Sequence, residues 1–401
     1  MEIADFEALL TPAGREALDA AAASDVSERA LLATASRLRS RYPAELVGAA
    51  LGQVRLRARA AAKFGPDAAR MYFTPQGLEQ STRASVAAHR AARFAEFTGG
   101  AGAVLELCCG VGADLVFRAR AGVEGTGVDR DPLTVAVASA NLAAFGVDGL
   151  ARARVGDALD QDPAGFAAVF ADPGRRTARG RVFDPRAYEP PLDALLEIAS
   201  RAPAGCVKVA PGIPHEAVPE GACAEWISDE GEVKEAAIWL GGLARGPARR
   251  ATLLRGGLTH TLDPDPAPST PPVRPWGRYL YEPDGAVIRA HLVGEAAALV
   301  EGGLADPRIA YITSDVLKET PFTAAYEVHE VIPFSVKRLK AALRAHGVGV
   351  LTLKKRGFAA DLDRLHRDLR PACASGSAAG TVVLTRVGDS PVALLCAKPK
   401  R

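Results

Sequence analysis

Between residues 106 and 172 four carboxylates stand in or just beyond short apolar runs: Glu106 inside V-L-E-L, Asp129 at the end of G-T-G-V-D, Asp157 after A-R-A-R-V-G, and Asp172 after A-A-V-F-A. An acid at the end of a strand can accept hydrogen bonds from hydroxyls or amines, face a cation, or take a proton. Gly110 and Gly112, in C-C-G-V-G, lie between the first two acids. Glycines there let the backbone come close to a ligand, where the next helix presents free amide groups. Beside Asp172 runs a group of arginines, Arg175, Arg176, Arg179 and Arg181, suited to hold an anion such as phosphate by charge-assisted bonds or, failing that, to be solvated in a loop.

The elements that must position these groups can be read from the pattern. Val104, Leu105 and Leu107 form a short apolar strand, Asp114 to Ala121 a helix, and Gly127-Val128-Asp129 the end of a second strand. Pro132 to Phe145 reads as a helix ended by Gly146, Ala153 to Val155 as a third strand and Phe166 to Phe170 as a fourth. The alternation predicts an α/β fold with a parallel sheet, whose carboxyl edge is where ligand groups collect. A dinucleotide would want G-x-G-x-x-G, but Leu115 stands at the third glycine and Glu106 would repel a pyrophosphate. S-adenosylmethionine (SAM) suits the same positions, because it lacks phosphate and carries a sulfonium, an ammonium and a carboxylate. Glu106 can face its cationic end, the amides near Gly110 and Gly112 can meet its carboxylate, and Asp129 can accept both ribose hydroxyls. A bare turn in a ligand-free α/β domain is the competing reading of the same glycines.

This arrangement resembles motifs I and II of the class I SAM-dependent methyltransferases, with a Rossmann-like core. The resemblance places Asp157 beside the adenine, accepting from its exocyclic amine, and makes Asp172-Pro173 the first half of motif IV, where the acceptor is oriented. Gly174 and Arg175 depart from the second proline and aromatic usual in amino-methyltransferases. The stretch is nearer the D-P-P-R-x-G of RNA C5-methyltransferases, but those need a nucleophilic cysteine after the next strand. Here Cys206 stands at the start of the strand Cys206 to Ala210, so transfer to a nitrogen or oxygen is the expectation. Asp172 and Arg175 are the candidate catalytic residues, and Arg175 and Arg176 the candidate holders of a substrate phosphate.

The 401 residues allow two or three domains, and 48% apolar with 24% charged residues is ordinary for a globular protein. A net charge of +2 excludes a general polycation, but from Val331 onward fourteen Lys or Arg face four Asp or Glu. Six cysteines without C-x-x-C spacing indicate neither a zinc site nor a disulfide framework. The acidic start M-E-I-A-D-F-E and the lack of an apolar run of about 20 residues point away from export and membrane insertion, so the cytoplasm is expected.

Residues 1–97 read as a helical region, with helices over Ser24 to Arg39, Ala44 to Phe64 and Leu78 to Phe97. Met71, Tyr72 and Phe73 serve packing, or else Tyr72 to Gln80 folds over the cofactor mouth and brings Gln80 or Thr82 to the substrate. The methyltransferase core is expected over 98–262, with strands Glu235 to Leu240 and Arg250 to Leu254 at its end, and a proline-rich spacer over 263–275. Beyond it, strands at Tyr279 to Glu282, Ala310 to Ser314, Ala325 to Ile332 and Val348 to Leu353 surround a basic helix, Ser335 to Ala345. A second helix, Asp361 to Leu369, and a strand pair, Thr381 to Arg386 with Val392 to Cys396, complete an α+β module. Lys354, Lys355 and Arg356 stand at a strand end, suited to phosphate contact. E-P-D-G-A-V-I-R-A and L-K-K-R-G resemble the THUMP-like domain that follows a methyltransferase core in a group of bacterial proteins. True THUMP domains bind tRNA, so the resemblance implies RNA, tRNA or rRNA, as the partner. The reading is a SAM-dependent RNA methyltransferase without a metal. A small-molecule methyltransferase, or an RNA-binding protein keeping SAM as a structural ligand, are its rivals.

Overall fold

The computed structural model describes residues 2–174, 176–177, 180–181, 185–266, 270–373 and 376–399. The chain divides into two compact units, Met1–Ala224 with Glu235–Ala248, and Glu225–Lys234 with Arg249–Arg401.

The first unit opens on helices α1 (Ile3–Leu10), α2 (Pro12–Ala22), α3 (Leu31–Arg39), α4 (Ala44–Phe64), α5 (Pro75–Gln80) and α6 (Ala84–Thr98). Two predicted helices differ in extent. The stretch predicted as one helix from Ser24 begins only at Leu31, because Asp25 turns the chain by accepting from the amide of Ser27. The helix predicted over Leu78 to Phe97 is broken at Ser81–Arg83. Lys63 Nζ donates to the carbonyls of Leu78, Glu79 and Ser81 at 2.6, 2.9 and 3.0 Å, supplying partners to carbonyls that helix α5 leaves open as it ends. Met71 and Phe73 are fully buried in the helical core with Phe6, Leu9 and Phe64, as the packing reading of this segment requires. The Gln53 side chain holds both the amide and the carbonyl of Phe73, at 3.0 and 2.7 Å.

Next come β1 (Val104–Leu107), α7 (Ala113–Arg120), β2 (Gly125–Asp129), α8 (Pro132–Ala144), β3 (Ala151–Val155) and β4 (Ala168–Ala171). Two-residue strands β5 (Arg176–Thr177) and β6 (Gly180–Arg181) pair antiparallel, followed by α9 (Leu192–Ser200), β7 (Ala204–Val209), β8 (Cys223–Asp229) and β9 (Glu232–Gly241). Within the first unit the sheet order is β9-β7-β4-β1-β2-β3. Strands β3, β2, β1, β4 and β7 are parallel and β9 joins β7 antiparallel. The chain runs β1, β2, β3 one way and resumes at β4 on the other side of β1. The order therefore reverses between β1 and β4, and in open α/β sheets ligands bind beyond the carboxyl ends at such a point.

The second unit contains the hairpin β10 (Arg249–Arg255) and β11 (Leu258–Leu262), then β12 (Tyr279–Pro283), α10 (Gly285–Arg289), α11 (Val293–Leu299), β13 (Gly303–Leu304), β14 (Ile312–Ser314) and β15 (Thr323–Pro333). It closes with α12 (Val336–Ala345), β16 (Val348–Lys355), α13 (Leu362–Cys373), β17 (Ala378–Val387) and β18 (Ser390–Ala397). Seven of its strands form one sheet in the order β13-β14-β12-β15-β18-β17-β16. Alternation puts Val382, Leu384, Ala393 and Leu395 in a core with α12 and α13, while Val383 and Leu394 join Leu280, Tyr311 and Tyr326 in another. Of the stretch read as a spacer, Pro272 and Arg274 bond to Leu304 through their backbones.

Candidate active site

The parallel register brings the sequence-selected acids to one edge. Leu107 pairs with Val128 and Ala171, and Ala171 pairs with Val207, so positions 108, 172 and 208 follow level with one another. The backbone ladder continues past the strands: the Asp172 amide donates to Leu107 O at 3.2 Å and the Gly156 amide to Asp129 O at 3.0 Å. The turn after β1 is left-handed at three positions, Cys108 (φ 59), Gly110 (φ 55) and Gly112 (φ 76). A Cβ at Gly110 would meet nothing within 4 Å, whereas one at Gly112 would press on Ala138 at 3.0 Å. One glycine thus faces open space and the other admits helix α8.

Asp129 lies at the end of β2 and accepts from the Gly110 amide through Oδ2 and from the Asp131 amide through Oδ1, at 3.0 and 3.1 Å. Asp157 is exposed and accepts from the Leu159 amide at 2.8 Å, the turn-forming role open to any aspartate there. Glu106 was expected to face a cationic ligand; in the structure its carboxylate is buried and bonded to Arg118. Burial pushes it up to about 7 despite the guanidinium. Burial also raises the Cys108 thiol far above its ordinary range, and the charges of Asp129, Asp172 and Asp157 raise it further. A raised thiol pKa works against a thiolate nucleophile there.

Asp172 is partly exposed, and its Oδ2 accepts from Lys208 Nζ at 2.6 Å. Lys208, on β7, is 3% exposed and also donates to Thr82 Oγ1 at 2.9 Å. Thr82 accepts a second bond from Arg90 Nη2 at 3.3 Å. Arg90 is wholly buried, paired with Asp114 at 2.7 Å and with Glu235, and stacked over Phe170. Burial alone would lower its affinity for the proton, but the two carboxylates more than reverse this. In Asp114 the same contest ends with the carboxyl below its usual range, because Arg90, Lys208 and Arg118 outweigh burial.

Lys208, Arg90 and Arg118 are the residues that sequence reasoning missed. The signal for Lys208 was present: a charge in the apolar strand C-V-K-V-A is rarely buried without a partner. Past Asp172, Gly174 exchanges backbone bonds with Glu189 at 2.9 and 3.0 Å, and Tyr188 Oη accepts from the Ala210 amide at 3.2 Å. Arg175 and Arg179 lie outside the described residues, and of Arg176 and Arg181 only the backbone strands are described. In the second unit, β16 runs on through Lys354 and Lys355 instead of ending before them. Lys354 and Arg356 both pair with Glu282, and Lys355 donates to Ala360 O at 2.6 Å. These three are thus tied to the protein itself. Among the described residues no group of three or more His, Cys, Asp or Glu could hold a metal ion.

A glycine turn after β1, an acid ending β2, a further acid after β3 and another after β4 stand along the carboxyl edge of one parallel sheet. Fold and edge together define a class I SAM-dependent methyltransferase. The chain is 38% identical over 344 residues, 83% of its length and 91% of the relative's, to a protein named as an uncharacterized S-adenosylmethionine-dependent methyltransferase in two strains of Mycobacterium tuberculosis. It belongs to that family of SAM-dependent methyltransferases, and SAM is its cofactor. A family model described as THUMP domain-like matches residues 323–398, and one described as a domain of unknown function matches residues 2–60. Among solved structures the chain is similar to a protein assigned as a methyltransferase from Porphyromonas gingivalis W83. The identity is 21% and the TM-score 0.68, over 90% of this chain and 92% of that one.

Proposed function

We propose that this methyltransferase acts in the cytoplasm on RNA, tRNA or rRNA, at a nitrogen or oxygen atom. The observation that carries the RNA reading is a basic surface in the THUMP-like segment. Helices α12 and α13 bury Leu339, Leu343, Leu365 and Leu369 against the sheet and turn Lys337, Arg338, Arg344, Arg364, Arg367 and Arg370 to solvent. Six exposed cations on two packed helices can follow a phosphate backbone. They replace Lys354 and Arg356 as the leading candidates, since those two share a pairing with Glu282 inside the protein. Arg175 and Arg176 remain candidate holders of a phosphate nearer the transfer site.

In this reading Gly110, Gly112, Asp129 and Asp157 hold the cofactor, with Glu106 beneath the turn. The cofactor supplies a sulfonium methyl. Asp172 faces the acceptor, whose lone pair bonds to the methyl carbon as the carbon–sulfur bond breaks; the acceptor gives up one proton, for which the carboxylate is the nearby base. A covalent cysteine route is disfavoured by the cysteines themselves. Cys206 is wholly buried within β7, and burial and neighbouring carboxylates keep Cys108 protonated. Mass spectrometry of nucleosides from total RNA, with and without the gene, tests the proposal. One methylated nucleoside should disappear; an unchanged nucleoside set would overturn it.

A further inference from the structure

We propose that Lys208 is a positioning residue for methyl transfer: anchored on Thr82, it fixes the Asp172 carboxylate at the carboxyl edge of the sheet. The proposal rests on the reading of Asp172 given above and adds the residues that make it work. Among the described residues Lys208 is the sole side-chain partner of Asp172, and it takes Oδ2 alone. Among the described residues no side chain bonds to Oδ1. An ammonium has three donors, and Lys208 uses two, toward Asp172 and Thr82.

Burial distinguishes this pair from its neighbours. Arg90, Asp114 and Glu235 are closed off from solvent and read as a structural cluster. The Asp172 side chain is 21% exposed while that of Lys208 is 4% exposed, so the pair spans the boundary between that cluster and the open edge. A carboxylate on a short side chain, gripped from below through one oxygen, loses the freedom to rotate away from an acceptor. Holding such a group in place is worth much of a catalytic barrier, and a displacement of about 1 Å can cost roughly 10²-fold in rate.

Thr82 gives the helical region a part in the site. It lies in the break between α5 and α6, where Lys63 caps the preceding carbonyls, and its hydroxyl accepts from both Lys208 and Arg90. Had α5 and α6 formed the single predicted helix, this bridge from Arg90 to Lys208 would not be set by a turn. The helical region thereby contributes to the edge through Thr82, by way of Lys208.

The test uses the full chain with methyl-tritiated SAM. Acceptors are total RNA from cells lacking the gene and, in parallel, the small-molecule fraction of the same cells. Lys208→Met should lower kcat by about 10²-fold. KM for the acceptor and calorimetric SAM affinity should be unchanged. Lys208→Arg should recover part of the rate, and Thr82→Val should lose less than Lys208→Met. A Lys208→Met enzyme with the wild-type kcat would overturn the proposal. So would Met and Arg variants that lose SAM affinity, melting temperature and kcat together, since that marks a purely structural lysine. Label entering the small-molecule fraction instead would sink the RNA reading alone, and the same comparison of kcat would then decide on Lys208 there.

Discussion

At the scale of single residues, the acids were legible in the sequence because each interrupts or ends an apolar run. Their partners were not. Lys208 meets Asp172 across 36 residues and Arg90 meets Glu235 across 145, and no local pattern records such pairings. Asp172→Asn keeps the shape and removes the charge, so turnover on the identified acceptor should fall by about 10²–10⁴-fold with little change in SAM affinity. Full turnover in that variant would remove Asp172 from the transfer site. If Asp129 takes the ribose hydroxyls, each charged hydrogen bond contributes about 1.5–3 kcal/mol, and Asp129→Ala should weaken calorimetric SAM binding by roughly 10²–10⁴-fold. Glu106 offers a test by pH. Its carboxyl lies near 7 in the folded chain against an ordinary 4.5, so the folded state holds this proton more tightly than the unfolded one. Its contribution to stability is therefore full below about 4.5 and lost as pH rises through about 7. Urea unfolding at about pH 5 and about pH 8 should show a smaller difference for Glu106→Gln than for the wild type. Equal differences would show that the slope arises elsewhere.

At the scale of elements, the parallel strands of the first sheet were read to within a residue or two, because apolar runs bounded by glycine and proline leave little choice of register, whereas β8 was not read and β9 begins three residues before its predicted start. Helix ends were read less well. The break at Ser81–Arg83 depends on the amine of Lys63 and on the buried partners of Thr82, neither of which alters the helical spacing of the apolar residues. Helix α13 continues to Cys373 past Pro371, because Ala372 and Cys373 still fall on the buried face. One side chain ties the helical region to the cofactor turn. Asn141, wholly buried on α8, accepts from the Tyr72 amide at 2.7 Å and donates to the carbonyls of Tyr72 and Val111, at 3.0 and 2.8 Å. Gly77 completes the same junction, since a Cβ there would stand 2.4 Å from Val111. Asn141→Ala strands three backbone groups, that of Val111 buried and those of Tyr72 half-buried, and at up to about 1–3 kcal/mol for the buried one should lower both the melting temperature and SAM affinity. A loss of stability with SAM affinity intact would show that the turn keeps its shape without this tie.

At the scale of the whole molecule, the basic end of the chain was visible in its composition, while the surface formed by its exposed cations was not. The run Lys354-Lys355-Arg356 looked the more pointed signal, yet Glu282, far away in sequence, claims two of its members. The exposed cations of α12 and α13 are spread through two helices, where amphipathic spacing marks them as solvent-facing without saying what they face. Replacing Lys337, Arg338, Arg364 and Arg367 with alanine should weaken binding to total RNA. The slope of log affinity against log salt should drop by roughly 3 to 4 if all four meet phosphates of a duplex. Filter binding over a salt series would measure it, and an unaltered slope would place the RNA elsewhere.

The chain passes between its two units three times, at residues 224–225, 234–235 and 248–249. Ten residues of the second unit are therefore made before the last fourteen of the first. On the ribosome, the amino-terminal unit has all its sequence only once Ala248 has emerged, and Glu225–Lys234 must then await more than a hundred residues of their own unit still to be translated. No single cut can separate the units cleanly. A gene fragment ending in the proline-rich stretch would carry an orphaned ten-residue excursion together with β10 and β11, and one beginning there would lack all three. Each unit is whole only in a chain that carries both.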